Sequence, residues 1–255
     1  MNNKLEVMIT SGGTISRIDD VRHVGNFSSG TTGAYLAEAF LKAGHSVHFV
    51  YSKSSRRPYR ERLKLDPEKP FSQEMARLSS VANEYLDDSP RLQEYRITTF
   101  DDYYNTVKRV LCGMKVDVAV LAAAVSDYSA VPVQGKISSD LEKMRIELVK
   151  NPKVISLVKE WNPKVYQVGF KLLSNVSREE LIETAYQHGL KSGSDLTVAN
   201  TIVGGTGGFA RKDLLFVTPE KEVISVNERQ LARRLVEEVE NRVLKSIDLT
   251  AGYCS

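Results

Sequence analysis

Residues 9–40 read ITSGGTISRIDDVRHVGNFSSGTTGAYLAEAF, and this stretch decides how the chain is expected to fold. The apolar run 5–9 predicts a strand, and apolar side chains at helical spacing after Gly33 predict a helix that ends at Gly44. Residues 47–51 predict a second strand. A strand, a glycine- and serine-rich connection, a helix and a strand form a βαβ unit, which predicts a right-handed crossover and a parallel sheet.

The rest of the chain continues this alternation. Further strands are predicted at residues 95–99, 116–122, 144–149, 165–170 and 195–199, and helices at 100–112, 154–159 and 177–191. A glycine-rich loop at 201–213, a hairpin of 214–218 and 222–225, and a last helix from its cap Asn227 to about Leu244 follow. This order predicts an α/β fold with a Rossmann-like, doubly wound, mostly parallel sheet and a C-terminal hairpin and helix.

Length and composition favour a single domain over residues 1–255. The 255 residues are 42% apolar, which is enough for one large α/β core. A charged loop near residues 52–90, beginning SKSSRRPYRERLKLDPEKP, is predicted as an insertion after the second strand, with a helix at 71–86.

The charge balance and the absence of targeting signals restrict the partners that we expect. The 35 basic and 32 acidic side chains give a net charge of +3, which provides no general field for nucleic acid or membranes. The N-terminus lacks a hydrophobic signal region, so a cytoplasmic protein is expected. Cys112 and Cys254 lie far apart, outside any disulfide or zinc pattern, and are expected to be free thiols.

The glycine and serine residues of the opening stretch are candidates for binding phosphate. Gly12 and Gly13 can adopt dihedral angles that other residues avoid, and Ser28, Ser29 and Gly30 precede a helix whose free N–H groups attract anions. The stretch matches neither Gly-x-Gly-x-x-Gly nor a Walker loop. An ordinary turn followed by a helix cap is therefore the alternative interpretation.

Arg22 and Asn26 lie between these two turns and favour the interpretation as a binding site. A guanidinium forms paired hydrogen bonds with a carboxylate or a phosphate, and an amide both donates and accepts. We therefore predict a substrate that carries an acyl carboxylate or a phosphate.

Other candidates lie at the ends of later strands. The segment LAAAVSDYSAVPVQGKISSD offers Asp127 and Lys136, for which a turn residue and a solvated lysine are the alternatives. Phe170 is placed either to stack on a base or to pack in the core. Asn200 ends the next strand. Residues 151–152 read Asn-Pro, which predicts a helix cap with proline in the first turn.

Seven motifs occur in the order found in phosphopantothenoylcysteine synthetase, also called phosphopantothenate–cysteine ligase, of coenzyme A biosynthesis. They are ITSGGT, VRHVGNFSSGTTG, AAAVSDY, GKISS, LVKNPKVI, VGFKL and DLTVAN. The chain resembles the stand-alone form of this family from about Leu5 to Glu238. The resemblance implies that a nucleoside triphosphate activates 4'-phosphopantothenate as an acyl-nucleotide, which L-cysteine then attacks. It also implies Mg2+, CTP or ATP as co-substrate, and a homodimer.

The resemblance also implies roles for individual residues. Asn26 and Arg22 would hold the acyl intermediate, Lys136 would stabilise phosphate charge in the first step, and Asn200 would contact substrate. The implied nucleotide-binding residues are Gly12, Gly13, Ser28, Ser29, Gly30, Ala123, Ala124, Asp127, Pro152, Lys153, Val154, Ile155 and Phe170. No metal ligand is assigned.

One departure from the bacterial members leaves the nucleotide open. Those members supply two lysines from the helix before DLxVAN, whereas this chain has His188 and Ser192 at what we interpret as the matching positions. Lys171 and Lys191 are candidates to replace the missing charges. The choice between CTP and ATP therefore stays open, with a slight lean to CTP.

Two rival functions are considered. A Rossmann oxidoreductase would need Gly-x-Gly-x-x-Gly and an acidic residue at the end of the second strand, where this chain has Tyr51 and Ser52. A non-catalytic nucleotide-binding module would share the glycine turns but would need neither Asn26 nor Lys136.

Overall fold

The computed structural model describes residues 4–140, 142–205 and 208–251. In chain order, the strands are β1 (Glu6–Ser11), β2 (Ile15–Arg17), β3 (His23–Gly25), β4 (Ser46–Ser52), β5 (Leu92–Ile97), β6 (Val118–Leu121), β7 (Tyr128–Ala130), β8 (Leu148–Lys150), β9 (Tyr166–Ser174), β10 (Leu196–Gly205), β11 (Gly208–Val217) and β12 (Val223–Ser225). The α-helices are α1 (Thr31–Lys42), α2 (Phe71–Asp88), α3 (Phe100–Gly113), α4 (Val154–Trp161), α5 (Arg178–Ser192) and α6 (Leu231–Ala251). Short 3-10 turns lie at Ser89–Arg91 and Glu228–Gln230.

The main sheet has the strand order β12-β11-β10-β9-β6-β1-β4-β5 within the described residues. The strands from β10 to β5 are parallel, and β11 and β12 are antiparallel additions at one edge. This arrangement confirms the predicted doubly wound α/β fold with a C-terminal hairpin and helix. The chain runs outward from β1 through β4 to β5 and then returns to β6, so the order reverses between β1 and β6.

Apolar side chains cover both faces of the sheet. On one face, α1 and α6 pack residues such as Phe40 and Leu235 against buried strand residues including Ile9. On the other face, α3 and α4 contribute Val107 and Val158, both fully buried. The sheet is therefore the middle layer of three, and its carboxyl edge is left available for a site.

Three parts of the chain differ from the prediction. Residues 15–25 contain the short antiparallel hairpin β2–β3, which was not predicted. The strand predicted at 144–149 is wrong as an element of the main sheet. Only Leu148–Lys150 is extended, and it pairs with β7 in a separate two-stranded sheet. Leu148 and Val149 are both about half exposed, so this strand has no buried face that would hold it in the main sheet.

The glycine-rich loop predicted at 201–213 is also wrong for the described residues. β10 and β11 continue as antiparallel partners through this region, with a shift of register between Asn200 and Ile202. Glycine weakens a strand but leaves its backbone donors and acceptors in place, so a long ladder still forms. Residues 206–207, at the centre of that prediction, lie outside the described residues.

The last helix begins as predicted. Asn227 accepts a hydrogen bond from the backbone N of Arg229 and so caps the turn that leads into α6. Cys112 is a free, exposed thiol as predicted, and Cys254 lies outside the described residues. Among the described helices, none has the length and apolar composition that crossing a bilayer requires.

Candidate functional site

The crevice between β1 and β6 brings the first glycine turn next to the alanines that follow β6. The N–H of Ala124 donates to the Gly12 carbonyl at 2.8 Å, and the N–H of Thr14 donates to the Ala124 carbonyl at 3.2 Å. The N–H of Ala123 donates to the Thr10 hydroxyl at 3.2 Å. Residues 12–13 and 123–124 therefore form one continuous floor at the point where the strand order reverses.

Glycine is required in this floor because other parts of the chain approach closely. A Cβ built on Gly13 would lie 2.4 Å from the carbonyl oxygen of Asn26. Gly12 and Gly30 have φ values of 83° and 70°, and a Cβ on either would lie 2.5 Å from the Cβ of Ser55. These glycines thus allow the two turns to close on each other and on Ser55.

Ser55 belongs to the inserted segment, which packs against the two glycine turns and forms one side wall of the site. The N–H of Arg56 donates to the Ser29 carbonyl at 2.8 Å. The N–H of the buried Tyr59 donates to Glu38 of α1 at 2.8 Å, and its hydroxyl donates to Asp88. Burial and the bond to Asp88 both raise the pKa of Tyr59. This wall was not predicted, since neither Ser55 nor Tyr59 lies in one of the motifs recognised in the sequence.

Helix α1 begins directly after the second glycine turn. Gly30 is its N-cap, and no side chain of the described residues caps this end. The first turn contains no acidic residue, and the hydroxyls of Ser29 and Thr31 lie 2.8 Å apart. An N-terminus of this kind attracts anions through its backbone N–H groups.

Arg22 lies in the turn of the β2–β3 hairpin and is held by a neighbouring carboxylate. The side chain of Asp19 is fully buried and accepts hydrogen bonds from the backbone N–H groups of Val21, at 2.9 Å, and Arg22, at 2.7 Å. It also accepts one from Nη1 of Arg22 at 3.2 Å. Burial raises the pKa of Asp19, but the backbone hydrogen bonds outweigh this effect and leave the pKa below its ordinary value.

The loop that carries Lys136 lies against this turn. The N–H of Ile137 donates to Asp19 Oδ2 at 3.2 Å, and the N–H of Asp20 donates to the Gly135 carbonyl at 3.3 Å. The N–H of Val133 donates to the Ile18 carbonyl at 2.9 Å. Lys136 itself is exposed. The structure therefore places the predicted Lys136 beside the Arg22 turn, with its side chain open to solvent.

Asn26 is placed by its backbone. Its carbonyl packs against Gly13, and its side chain is exposed at the end of β3. The next residue, Phe27, is also fully exposed. Asn26 thus lies between the Arg22 turn and the Ser28–Gly30 turn, with its amide available to a ligand.

Asp127 and Lys153 are brought together as an exposed ion pair. The predicted cap at Asn151 is wrong, because the N-cap of α4 is Lys153. The amide of Asn151 instead accepts from the Ser129 hydroxyl at 2.9 Å and donates to the Ser126 carbonyl at 2.9 Å. The Asn151 side chain therefore bonds to residues at the start of β7, and residues 152–155 follow it directly next to Asp127.

Phe170 and Asn200 were predicted to end their strands, and this is wrong. Both lie in the middle of the neighbouring strands β9 and β10, because the pairing of these two strands continues as far as Ser174 and Ile202. Phe170 is partly buried and packs against the main core, which was one of its two predicted roles. Asn200 is largely buried and lines a groove of about 1140 Å³ together with Phe27, Tyr35 and Leu172. Base stacking by Phe170 stays a prediction.

His188 and Ser192, which stand where the bacterial members have two lysines, supply no positive charge in this structure. Burial, together with the charges of Lys171 and Lys153, lowers the pKa of His188 and favours the neutral ring. Ser192 is buried and donates to the His188 carbonyl at 2.8 Å. Of the two lysines considered as replacements, Lys171 is the one whose charge acts on this location.

The described residues contain no group of three or more His, Cys, Asp or Glu side chains arranged to hold a metal ion. Asp127, one of the predicted nucleotide contacts, is paired with Lys153.

The residue missed most clearly from the sequence is Asp19. It lies 118 residues from Ile137, so a single sequence gives no indication of that contact. The local signal is an Asp three residues before Arg22, since aspartate commonly accepts from backbone N–H groups two and three residues later.

Fold and site together define a doubly wound α/β protein with glycine turns and a helix N-terminus next to the point where the strand order reverses. The family model described as the DNA/pantothenate metabolism flavoprotein C-terminal domain matches residues 2–66 and 71–243, and the chain belongs to this family. The sequence-based resemblance to phosphopantothenate–cysteine ligases is confirmed.

Individual relatives agree with this assignment. A coenzyme A biosynthesis bifunctional protein CoaBC of Thermococcus kodakarensis is 32% identical over 92% of this chain and 50% of its own length. The chain thus spans about half of that bifunctional relative. A phosphopantothenate–cysteine ligase of Mus musculus is 31% identical, covering 94% of this chain and 84% of the relative.

Solved structures share the fold. A Cab2 mutant in complex with phosphopantothenate-cysteine has a TM-score of 0.76 at 25% identity, covering 98% of this chain and 89% of that one. A DNA/pantothenate metabolism flavoprotein from Streptococcus pneumoniae has a TM-score of 0.71 at 26% identity, covering 93% of this chain and 99% of that one.

Proposed function

We propose that this protein is a phosphopantothenate–cysteine ligase of coenzyme A biosynthesis. It activates 4'-phosphopantothenate with a nucleoside triphosphate, releases pyrophosphate, and joins the acyl group to L-cysteine with release of a nucleoside monophosphate. The observation that carries the proposal is the placement of Arg22, Asn26 and the Lys136 loop beside the floor formed by residues 12–13 and 123–124, in a chain of this family.

The proposed reaction needs positive charge near both reactants. A carboxylate is a poor electrophile, and its oxygen attacks the α-phosphorus only when the negative charge that builds up is offset. Arg22 and Lys136 supply cations from two adjacent exposed segments. Arg22 keeps part of its guanidinium free, because its contact with Asp19 uses Nη1.

Asn26 is proposed to act mainly in the second step. Its exposed amide lies between the Arg22 turn and the phosphate-binding turn, where it can accept from the cysteine amine and donate to the acyl oxygen. The amine forms the new amide bond with the acyl carbon, and the bond from that carbon to the nucleotide oxygen breaks.

The nucleotide is proposed to lie along the floor and the N-terminus of α1. The contacts carried over from the family are the two glycine turns, residues 123–124, Asp127, residues 152–155 and Phe170, with Asn200 as a substrate contact. The exposed Asp127–Lys153 pair is able to exchange partners when a ligand binds, because surface pairs contribute little to stability. Both CTP and ATP are retained as candidates.

Mg2+ is proposed to arrive bound to the nucleotide. This ion usually keeps several waters and is held through substrate phosphates and one or two carboxylates.

A cytoplasmic homodimer is part of the proposal. Phe27, Tyr35 and Leu172 are at least half exposed along the groove between α1 and β10, and such apolar exposure favours burial against a second copy. Sedimentation of the purified protein should give twice the chain mass, and a monomer at micromolar concentration would contradict this part.

Pyrophosphate release tests the activity. The protein should release pyrophosphate from CTP or ATP only when 4'-phosphopantothenate is present, and phosphopantothenoylcysteine should form when L-cysteine is added. Comparing the two nucleotides at equal concentration decides between them. The oxidoreductase alternative predicts instead that NAD(P)H raises the melting temperature, which the ligase proposal does not. Pyrophosphate release without phosphopantothenate would contradict the proposal.

A further inference from the structure

The Asp19 carboxylate contacts two separate segments that both carry proposed catalytic groups. On its own hairpin it accepts hydrogen bonds from the N–H groups of Val21 and Arg22 and from the Arg22 guanidinium. Across the site it accepts from the N–H of Ile137, the residue after Lys136. One buried side chain therefore joins the Arg22 turn to the Lys136 loop.

The Lys136 loop has few other attachments of this kind. Residues 131–147 connect β7 to β8 without joining the main sheet, and most of their side chains are exposed. Among the described residues, the other contacts from the hairpin to this loop are the backbone bonds of Val133 to Ile18 and of Asp20 to Gly135, and a 4.0 Å contact of Arg22 Nη1 with the Met144 sulfur. The bond from Ile137 to Asp19 is the one that uses a charged acceptor.

We propose that Asp19 is a positioning residue, which holds the Arg22 guanidinium and the Lys136 loop in one fixed arrangement. The inference rests on the proposed ligase function, because the two groups that it orders are those assigned to phosphate and acyl binding. Asp19 does not contact the reactants itself, since its side chain is fully buried.

Charge and geometry agree with this role. A buried carboxylate needs several donors, and Asp19 has four, which come from Val21, Arg22 and Ile137. Its lowered pKa keeps it ionised at neutral pH. The charged side chain that faces Asp19 is Arg22 of its own hairpin, whereas the loop contributes the backbone N–H of Ile137.

Asp19→Asn and Asp20→Asn form a matched pair. Both remove one negative charge from the same turn, but only Asp19 is buried and bonded to Ile137. Asp19→Asn turns an NH2 group towards donors, so pyrophosphate exchange should fall on the order of 10- to 100-fold, as expected for loss of buried charged hydrogen bonds. Asp20→Asn should stay within about twofold of the unmodified protein.

Hydrogen exchange measures the arrangement directly. The amide of Ile137 should exchange faster in Asp19→Asn than in the unmodified protein, and it should be unchanged in Asp20→Asn. This measurement needs no activity, so it tests whether Asp19 holds the Lys136 loop even if the protein proves not to be a ligase. Unchanged exchange at Ile137 in Asp19→Asn would overturn the proposal.

A double-mutant cycle separates positioning from general destabilisation. Because Asp19 also holds Arg22, Asp19→Asn should still lower pyrophosphate exchange when Lys136 is already Gln, but by a clearly smaller factor than in the unmodified protein. A purely structural role predicts the same factor in both backgrounds, and that result would overturn the proposal.

Asp19→Ser covers the case in which Asp19→Asn does not fold. A serine hydroxyl can still accept from the turn N–H groups but cannot reach Ile137, so folding should be retained and pyrophosphate exchange lost. Loss of the fold in both variants, with Asp20→Asn folded, would assign Asp19 to stability alone and would also overturn the proposal.

Discussion

The two halves of the candidate site are held in different ways. The floor, built from residues 12–13, 30 and 123–124, is fixed by close backbone packing around Ser55 and by hydrogen bonds between neighbouring strands. The Arg22 turn and the Lys136 loop lie outside the main sheet and are joined by a few hydrogen bonds, several of them to Asp19. Groups that shape a surface can be part of the core, whereas cations that must reach reactants stay exposed and depend on polar contacts.

The comparison predicts that the exposed half affects rate without affecting stability. Lys136→Gln should slow acyl-nucleotide formation by at least ~10²-fold, about 3 kcal/mol, because one positioned cation is removed from the transition state. Pyrophosphate exchange measures this step. The matched control is Lys143→Gln, which removes an exposed lysine from the same connection and should leave the rate unchanged.

The melting temperature of Lys136→Gln should equal that of the unmodified protein within error. Near-normal exchange in Lys136→Gln would return this residue to the role of a solvated lysine.

The floor should respond in the opposite way. Gly30→Ala should destabilise the fold by roughly 2–3 kcal/mol, because it adds a left-handed residue and places a methyl group against Ser55. Gly44→Ala is the control, since Gly44 also has a positive φ but its Cβ would meet only the end of the Arg91 side chain, at 3.9 Å. Denaturant unfolding should give the smaller loss for Gly44→Ala.

Combining Gly30→Ala with Ser55→Gly should recover part of the stability, because it removes the atom that clashes. No recovery would mean that Ser55 is not the reason for glycine at this position, and that the left-handed backbone or the Ser11 hydroxyl, 2.9 Å from the added Cβ, is.

Asn26 lies between the two halves of the site, and its substitution distinguishes a role in the cysteine step from a role in the turn. Asn26→Asp keeps the size but replaces the NH2 donor with an acceptor and adds negative charge, so the cysteine step should fall about tenfold more than activation, a difference of roughly 1.4 kcal/mol. Pyrophosphate exchange should persist while little phosphopantothenoylcysteine forms. Equal losses in the two steps, together with lower thermal stability, would make Asn26 a turn residue only.

The smallest expected effect concerns the exposed pair of Asp127 and Lys153. Asp127→Asn should change the free energy of unfolding by less than about 1 kcal/mol, because both side chains are more than half exposed. If Asp127 contacts the nucleotide as proposed, KM for the nucleotide should rise in the same variant. A large loss of stability would show that the pair is structural.

Sequence patterns predicted the fold well because long, buried elements repeat a clear period. β1, α1 and β4 form a βαβ unit with apolar residues at strand and helix spacing, and each is present. The hairpin β2–β3 has three residues in each strand, which is too short for a period to emerge. The same limit applies to β8.

For the candidate site, the sequence supplied a list of candidate residues, and the structure adds the contacts that bring their segments together. Motif resemblance singled out Arg22, Asn26 and Lys136 as candidates. The structure joins the segments of Arg22 and Lys136 through Asp19 and places the Asn26 carbonyl against Gly13. Asp19 and Ser55 were missed because their roles come from contacts with distant parts of the chain, and a single sequence does not record such contacts. Glycines 12, 13 and 30 looked like ligand contacts, but the structure adds an internal reason for each of them.

In the proposed ligase reaction, the carboxylate of phosphopantothenate becomes joined to the α-phosphorus of the nucleotide. Its oxygen then leaves with the nucleotide when cysteine attacks the acyl carbon. The most direct test uses phosphopantothenate labelled with oxygen-18 in the carboxylate, with unlabelled nucleotide and L-cysteine. The account predicts one labelled oxygen in the nucleoside monophosphate and none in pyrophosphate. Label in inorganic phosphate, with a nucleoside diphosphate as the second product, would contradict it.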